Sequence, residues 1–140
     1  MRSPGFTLLE VLGVLALSSV LMGLAALGLV ELARTARLAG AVRTTASTLR
    51  LARARALAGG ASIEVRFDTA APATIETRPT GGGPIEIRAL PPGIVVAGTP
   101  ARGRVLFGAL GTAENGTVTL TAGPRARRVI VNQRGRVRVG

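Results

Sequence analysis

The sequence predicts an α+β fold in which one long N-terminal helix packs on an antiparallel β-sheet. Apolar residues follow a helical period from Phe6 to about Ala58, and Gly59-Gly60 then provides a natural stop. Short apolar and polar alternations follow, separated by glycine and proline. Because a half-apolar helix and a one-sided sheet must each bury a face, we expect them to cover one another.

The first part of the helix is apolar on all sides. Twenty consecutive uncharged residues extend from Val11 to Val30, enough to span about 30 Å of hydrocarbon. A cleaved signal peptide is the alternative, but its apolar stretch covers only about 7–15 residues. The pattern here continues without proline to Ala71, so we expect a retained transmembrane segment over residues 6–30.

Glu10 stands at the start of this apolar run. An isolated carboxylate costs roughly 2.5–3.5 kcal/mol inside a membrane helix on insertion scales. No arginine follows closely enough to pair with Glu10 along the helix face. Either Glu10 remains hydrated at the membrane interface or it takes a partner from another molecule, and we expect a partner.

The helix continues beyond the apolar run into a globular domain over residues 31–140. Its predicted packed face carries Leu38, Val42, Ala46, Leu49, Ala52 and Ala56, three or four positions apart. Arginines occupy much of the remainder: Arg34, Arg37, Arg43, Arg50 and Arg53. A helix from Phe6 to about Ala58 measures about 80 Å at the standard rise.

The rest of the domain is predicted to be a β-meander with hairpins. Side chains of Ile63, Val65 and Phe67 are expected to point inward on the first strand. The predicted strands are Ser62–Asp68, Thr74–Thr77, Ile85–Leu90, Ile94–Ala97, Arg104–Phe107, Thr117–Thr121, Arg128–Asn132 and Arg136–Val139.

Composition argues against catalysis. The chain has no cysteine and no histidine, which excludes disulfides, thiolate nucleophiles, imidazole bases and the usual zinc ligand sets. Seven scattered carboxylates are the remaining acid or base groups. The Gly81-Gly82-Gly83-Pro84 segment leads into no helix and the chain has no P-loop lysine, so we interpret it as a turn. We expect no enzyme, no metal and no cofactor.

The charge of +11 comes from 18 arginines, with no lysine. Such an excess predicts attraction to nucleic acid or to an anionic membrane, although a GC-rich genome also enriches arginine. Six arginines fall in the last sixteen residues, where alternation puts Arg136 and Arg138 opposite Val137 and Val139. If residues 132–135 form a turn, we expect Arg128 beside it, giving with Arg134 a guanidinium cluster able to grip phosphates. A solvated edge strand is the alternative.

The residues Gly5-Phe6-Thr7-Leu8-Leu9-Glu10, after the short basic stretch from Met1 to Pro4, resemble the class III signal of type IV prepilins and type II secretion pseudopilins. The resemblance implies a leader over residues 1–5, cleavage between Gly5 and Phe6 by a prepilin peptidase, and N-methylation of Phe6. The freed amine would then neutralise Glu10 of a neighbouring subunit.

It also implies a single-pass inner-membrane protein with a periplasmic C-terminal domain, which joins other pilins or pseudopilins in a hetero-oligomeric filament. The positive-inside rule alone does not support this orientation, since Arg2 precedes the span whereas Arg34 and Arg37 follow it. A membrane-anchored binding domain that never polymerises is the competing hypothesis, and it predicts no cleavage at Gly5.

Segments beyond the membrane are similar to the GspH/FimT family of minor pseudopilins and minor pilins. They are Leu51–Ala56, Val105–Phe107 before a glycine, Gly116–Leu120, and Val129–Asn132 leading to Gly135–Arg138. The resemblance implies a structural subunit of a type II secretion pseudopilus or a type IV pilus. In the FimT branch, a closing Gly-Arg-x-Arg pattern implies DNA capture during natural transformation, which here would use Arg128, Arg134, Arg136 and Arg138.

Overall fold

The computed structural model describes residues 7–140, except for the side chain of residue 27. The predicted processing site, Gly5 and Phe6, lies outside the described residues. The described chain forms a helix, a short 3-10 turn at Ala101–Gly103, and strands whose bounds follow. They are α1 (Leu8–Gly59), β1 (Ile63–Asp68), β2 (Thr74–Pro79), β3 (Glu86–Ala89), β4 (Val95–Gly98), β5 (Arg104–Phe107), β6 (Gly116–Ala122), β7 (Arg125–Val131) and β8 (Val137–Val139).

Helix α1 begins and ends where its sequence provides caps. The hydroxyl of Thr7 accepts a hydrogen bond from the backbone N–H of Glu10 at 3.3 Å, as an N-cap side chain does. Gly60 follows the last helical residue with a φ of +61°, the left-handed conformation that commonly ends a helix. The predicted long helix is therefore confirmed.

The chain divides into two compact units, the first ending at Ala33 and the second comprising Arg34–Gly140. In the first unit the apolar side chains are exposed: Leu9 is 82% exposed and Leu24 is 64% exposed. Their helix is long and apolar enough to cross a membrane.

The second unit contains two four-stranded antiparallel sheets. The first has the strand order β3-β2-β1-β5, and the second has the order β4-β6-β7-β8. Chain order produces hairpins in both, with β1, β2 and β3 consecutive in one and β6, β7 and β8 consecutive in the other. A meander accounts for only part of this arrangement, because β4 joins the second sheet before β5 returns to pair with β1.

The core of the second unit lies between one face of α1 and the two sheets. All six residues of the predicted packed face of α1 are buried, from Leu38 to Ala56. Ile63, Val65 and Phe67 of β1 are buried as well, which confirms their predicted inward orientation. The second sheet adds the buried residues Val96, Val118, Leu120, Ala122, Val129 and Val131. A long helix thus packs on antiparallel strands, as the fold class requires.

Candidate assembly segment and arginine surface

Glu10 lies in the first turn of α1 with its side chain exposed. Thr7 and Glu10 have the spacing of a capping box, in which a hydroxyl residue at the N-cap precedes an acidic residue three positions on. The positive end of the helix dipole also favours a carboxylate there. Within residues 7–140, no arginine forms an ion pair with Glu10. Its compensating cation must come from elsewhere if the segment enters hydrocarbon.

A tight turn fixes the start of the last strand. The backbone N–H of Gly135 donates to the carbonyl of Asn132 at 2.8 Å, and the side-chain oxygen of Asn132 accepts from the N–H of Arg136 at 2.9 Å. The N–H of Asn132 in turn donates to the carbonyl of Arg136 at 3.1 Å. These bonds hold the backbone from which Arg134 and Arg136 extend.

Helix α1 contributes two arginines to the same region. Arg50 and Arg53 line a cavity of about 420 Å³ together with Gly135, Arg136, Val137 and Arg138. Arg53 and Arg136 also line a second cavity, of about 560 Å³, with Asn115, Asn132, Gln133 and Arg134. We call Arg50, Arg53, Arg134, Arg136 and Arg138 the distal arginine cluster. No carboxylate lines either cavity, so the cluster suits an anion.

The predicted proximity of Arg128 to the turn is wrong. Residues 132–135 do form a turn, but the antiparallel register places Arg128 opposite Gly140, with backbone bonds of 3.2 and 2.9 Å between them. Arg128 therefore lies at the far end of the β7–β8 hairpin. It lines neither cavity of the distal arginine cluster, although Arg134, Arg136 and Arg138 do.

Sequence reasoning did not group Arg50 and Arg53 with the C-terminal arginines. Their spacing of three placed them on one side of the helix. The missing information was the strand that lies beside that side of the helix. In the structure that strand is the edge strand β8, where the carbonyl of Val137 accepts a hydrogen bond from the Nη2 of Arg50 at 3.5 Å.

A separate ionised cluster lies on the first sheet. Glu64 is buried, with its side chain 4% exposed, and it forms ion pairs with Arg66 and with Arg104, the latter at 3.0 Å. Burial disfavours the charged form, but the two guanidinium groups outweigh it, so the pKa of Glu64 lies below its usual value. Ion pairs with Arg88 and Arg55 likewise lower the pKa of Glu86. Carboxylates that each pair with two guanidinium groups stabilise the sheet and are poor proton acceptors.

Among the residues that the structure describes, no group of three or more acidic, histidine or cysteine side chains could hold a metal ion.

Two family models match the chain. One, described as type II transport protein GspH, matches residues 41–135, and another, the prokaryotic N-terminal methylation motif, matches residues 1–26. No curated protein matches the sequence significantly.

Solved structures share the fold. The type IV minor pilin FimU of Pseudomonas aeruginosa is 16% identical, with a TM-score of 0.62 over 74% of this chain and 87% of that chain. The minor pseudopilin EpsH from the type 2 secretion system of Vibrio cholerae is also 16% identical, with a TM-score of 0.60 over 74% of this chain and 96% of that one.

Proposed function

This chain belongs to the GspH family of type II transport proteins, and we propose that it is made as a precursor and cut between Gly5 and Phe6. It is a structural subunit of the minor pilin and pseudopilin type. In the proposal, residues 1–5 are the leader, residues 6–30 span the inner membrane once, and residues 31–140 form a periplasmic domain. A prepilin peptidase makes the cut and methylates the amine of Phe6, and no catalytic site of the chain is needed.

Assembly is proposed to depend on Glu10. The observation that carries this proposal is an exposed carboxylate in the first turn of an exposed apolar helix, with no cation beside it within residues 7–140. Cleavage after Gly5 creates a cationic amine at Phe6, because an α-amino group has a pKa near 8. Pairing that amine with Glu10 of the next subunit neutralises both charges within the apolar filament core and fixes the register between subunits.

The variant Glu10→Gln separates this role from helix capping. Glutamine can occupy the third helical position of a capping box as glutamate does, so the helix start is preserved while the charge is lost. We expect normal processing and membrane insertion but incorporation into filaments reduced by about tenfold or more, because the amine would be left unpaired in an apolar environment. The amount of subunit in sheared filaments measures incorporation, and the amount and size of the subunit in membranes measure insertion and processing.

Two results would contradict the proposal. Normal incorporation of Glu10→Gln would show that capping is the only role of the residue. A mature protein that retains Met1, seen by intact mass spectrometry, would favour a membrane-anchored domain that never polymerises.

The machine that uses the subunit is either a type II secretion pseudopilus or a type IV pilus. Deleting the gene in its host separates them: loss of a secreted enzyme from the medium indicates the first, and loss of surface pili indicates the second.

The distal arginine cluster favours a second candidate function, binding of nucleic acid. Five guanidinium groups line two adjoining cavities that carry no carboxylate, and guanidinium groups bind phosphates bidentately. Replacing Arg136 and Arg138 by Gln should weaken DNA binding and reduce the slope of log affinity against log salt by about 2.

A matched control has the same change of charge elsewhere in the domain. The double variant Arg43→Gln/Arg127→Gln should leave the salt slope unchanged, because neither arginine lines the distal cavities. Fluorescence anisotropy with a labelled duplex over a salt series measures the slopes. Equal slopes for both variants and the unmodified chain would reject this function.

A further inference from the structure

Strand β3 forms an open edge of the first sheet, with no strand on its outer side within residues 7–140. Three of its four residues are exposed, and Ile87 in its middle is 62% exposed. Ile85, just before the strand, is 54% exposed. Proteins usually shield an edge strand, because its unpaired backbone groups can bind a strand from another molecule.

The other three sheet edges are shielded or interrupted. The backbone N–H of Glu114 donates a hydrogen bond to β5 at 3.1 Å. The guanidinium of Arg50 donates to the carbonyl of Val137 in β8 at 3.5 Å. A register shift between Val96 and Gly98 interrupts β4, as a bulge does. Among the four edges, β3 is therefore the one most open to a further strand.

The hydrogen-bond pattern shows which backbone groups of β3 face outward. The N–H of Leu90 donates to the carbonyl of Ala73 at 2.8 Å, in register with the β2–β3 ladder. In an antiparallel ladder, only alternate residues direct their backbone groups toward the partner strand. Every second residue back from Leu90 therefore bonds to β2, whereas Ile87 and Ala89 present their N–H and C=O groups to the open edge.

The side chains of β3 are sorted by polarity between its two faces. On one face, Glu86 forms ion pairs with Arg88 of the same strand and with Arg55 of α1. Ile87 and Ala89 lie on the opposite face, because successive side chains of a strand alternate. The open edge thus has a charged side and an apolar side.

The order of charges selects one antiparallel register between two β3 strands. The outward backbone groups allow Ile87 to bond either to Ile87 or to Ala89 of a second copy. The first register places Glu86 of each copy opposite Arg88 of the other, whereas the second places the two Arg88 side chains opposite each other. Opposite charges stabilise a cross-strand pair and like charges destabilise it. The first register is therefore favoured.

Self-complementarity favours a second copy over a strand of another protein. Glu86 and Arg88 stand one position to either side of Ile87, so an antiparallel copy presents the matching charge at both positions. A two-fold interface requires such a match of a surface with itself. Both pairs would also occupy the non-hydrogen-bonded positions, where cross-strand side chains are closest.

We propose that two copies of this chain pair through β3 about a two-fold axis at Ile87, which joins their four-stranded first sheets into one sheet. The N–H of each Ile87 donates to the carbonyl of the other, and the two isoleucine side chains contact each other. Pro84 and Pro91 limit the paired segment, because proline cannot donate to a ladder. A contact this short forms a transient dimer. The pairing involves only the second unit, so it does not depend on processing or filament assembly.

Disulfide trapping tests the pairing, because the chain has no cysteine. The full-length variant Ile87→Cys in detergent should form a linked dimer under mild oxidation. Opposite residues of a hydrogen-bonded pair have Cα atoms about 5.5 Å apart, within the range that a disulfide spans. Ile85→Cys is the matched control, an exposed isoleucine that would lie about 13 Å from its copy along the strands. It should form the disulfide about tenfold more slowly.

Charge reversals in the Ile87→Cys background test the register. Arg88→Glu should slow dimer formation about tenfold, because a carboxylate then faces a carboxylate at two symmetric positions. Glu86→Arg should slow it similarly, because arginine then faces arginine. When the two charge variants are mixed, every carboxylate of one chain faces an arginine of the other, so the mixed dimer should form in preference to either homodimer. Intact mass spectrometry separates the three products.

Three results would overturn the proposal. Equal rates for Ile87→Cys and Ile85→Cys would show that the cysteines meet by collision within a micelle. A statistical mixture of dimers from the two charge variants would reject the register. Linkage of Ile87→Cys to a different protein in cell membranes, without a homodimer, would show that another protein supplies the strand. Cleavage after Gly5 and the role of Glu10 would stand in all three cases.

Discussion

Among the glycines of residues 7–140, Gly135 is the one where packing leaves the least room for a side chain. It is buried, with a φ of +69°, and a Cβ added there would lie 2.2 Å from the carbonyl oxygen of Gly111. That oxygen accepts a hydrogen bond from the Nε of Arg53 at 3.0 Å. The helix, the loop after β5 and the last turn therefore meet without space for a side chain. The glycine before Arg136 is required by this junction.

Replacing Gly135 by Ala should lower the free energy of unfolding by about 3 kcal/mol. About 1–2 kcal/mol comes from the left-handed backbone, and a similar amount comes from displacing Gly111 and Arg53. Gly123→Ala is the matched control, because Gly123 has a φ of +60° but nothing within 4 Å of its added Cβ. It should lose only the backbone contribution. Denaturant unfolding of the full-length chain in detergent measures both, and equal losses would show that the junction tolerates a methyl group.

At the scale of the elements, local patterns predicted most of the fold. The predicted helix ends agree with the observed Leu8–Gly59 to within about two residues, because Thr7 and Gly60 cap it through side-chain and backbone preferences that depend only on nearby residues. Every predicted strand overlaps an observed strand, since alternation over four to seven residues is also a local signal.

Pairing between strands was less predictable. β4 joins the second sheet and β5 joins the first, and this assignment depends on long-range contacts that no local sequence pattern predicts. The same limit explains the error at Arg128, since the turn was predictable but the register that places this residue opposite Gly140 was not. It also explains why Arg50 and Arg53 were not assigned to the distal arginine cluster.

Alternation along a strand does not account for the burial of one charged residue, Glu64. Glu64 lies between the inward residues Ile63 and Val65, so alternation puts it on the outer face of β1, yet it is buried. The neighbouring strand β5 brings Arg104 beside Glu64, and Arg66, two residues further along β1, also pairs with it. An outer-face position is thus buried by arginine side chains.

Charge is the property that acts on the molecule as a whole. The 18 arginines exceed the seven carboxylates by 11 charges, so most guanidinium groups repel one another at neutral pH. Two carboxylates of the first sheet offset part of this repulsion. Glu64 pairs with two arginines, and Glu86 pairs with Arg55 of the helix and Arg88 of its own strand. Protonating them removes attraction and leaves the repulsion unopposed.

The free energy of unfolding should therefore decrease as the pH is lowered through the acidic range. The pKa values of Glu64 and Glu86 lie below their ordinary value of 4.5 in the folded chain, so their contribution is complete above that value and is lost as pH falls through the folded pKa values. Glu64→Gln should be less stable than the unmodified chain by about 2 kcal/mol at pH 7, the usual contribution of hydrogen bonds to a charged group. The difference should shrink as pH falls below 4.5, because the unmodified carboxylate is then also neutralised.

Glu114→Gln is the control, since this exposed residue forms no ion pair within residues 7–140, and it should follow the unmodified chain at every pH. Urea unfolding of the full-length chain in a non-ionic detergent at each pH measures the three curves, and a constant gap between Glu64→Gln and the unmodified chain would show that the buried carboxylate contributes through packing and not through its charge.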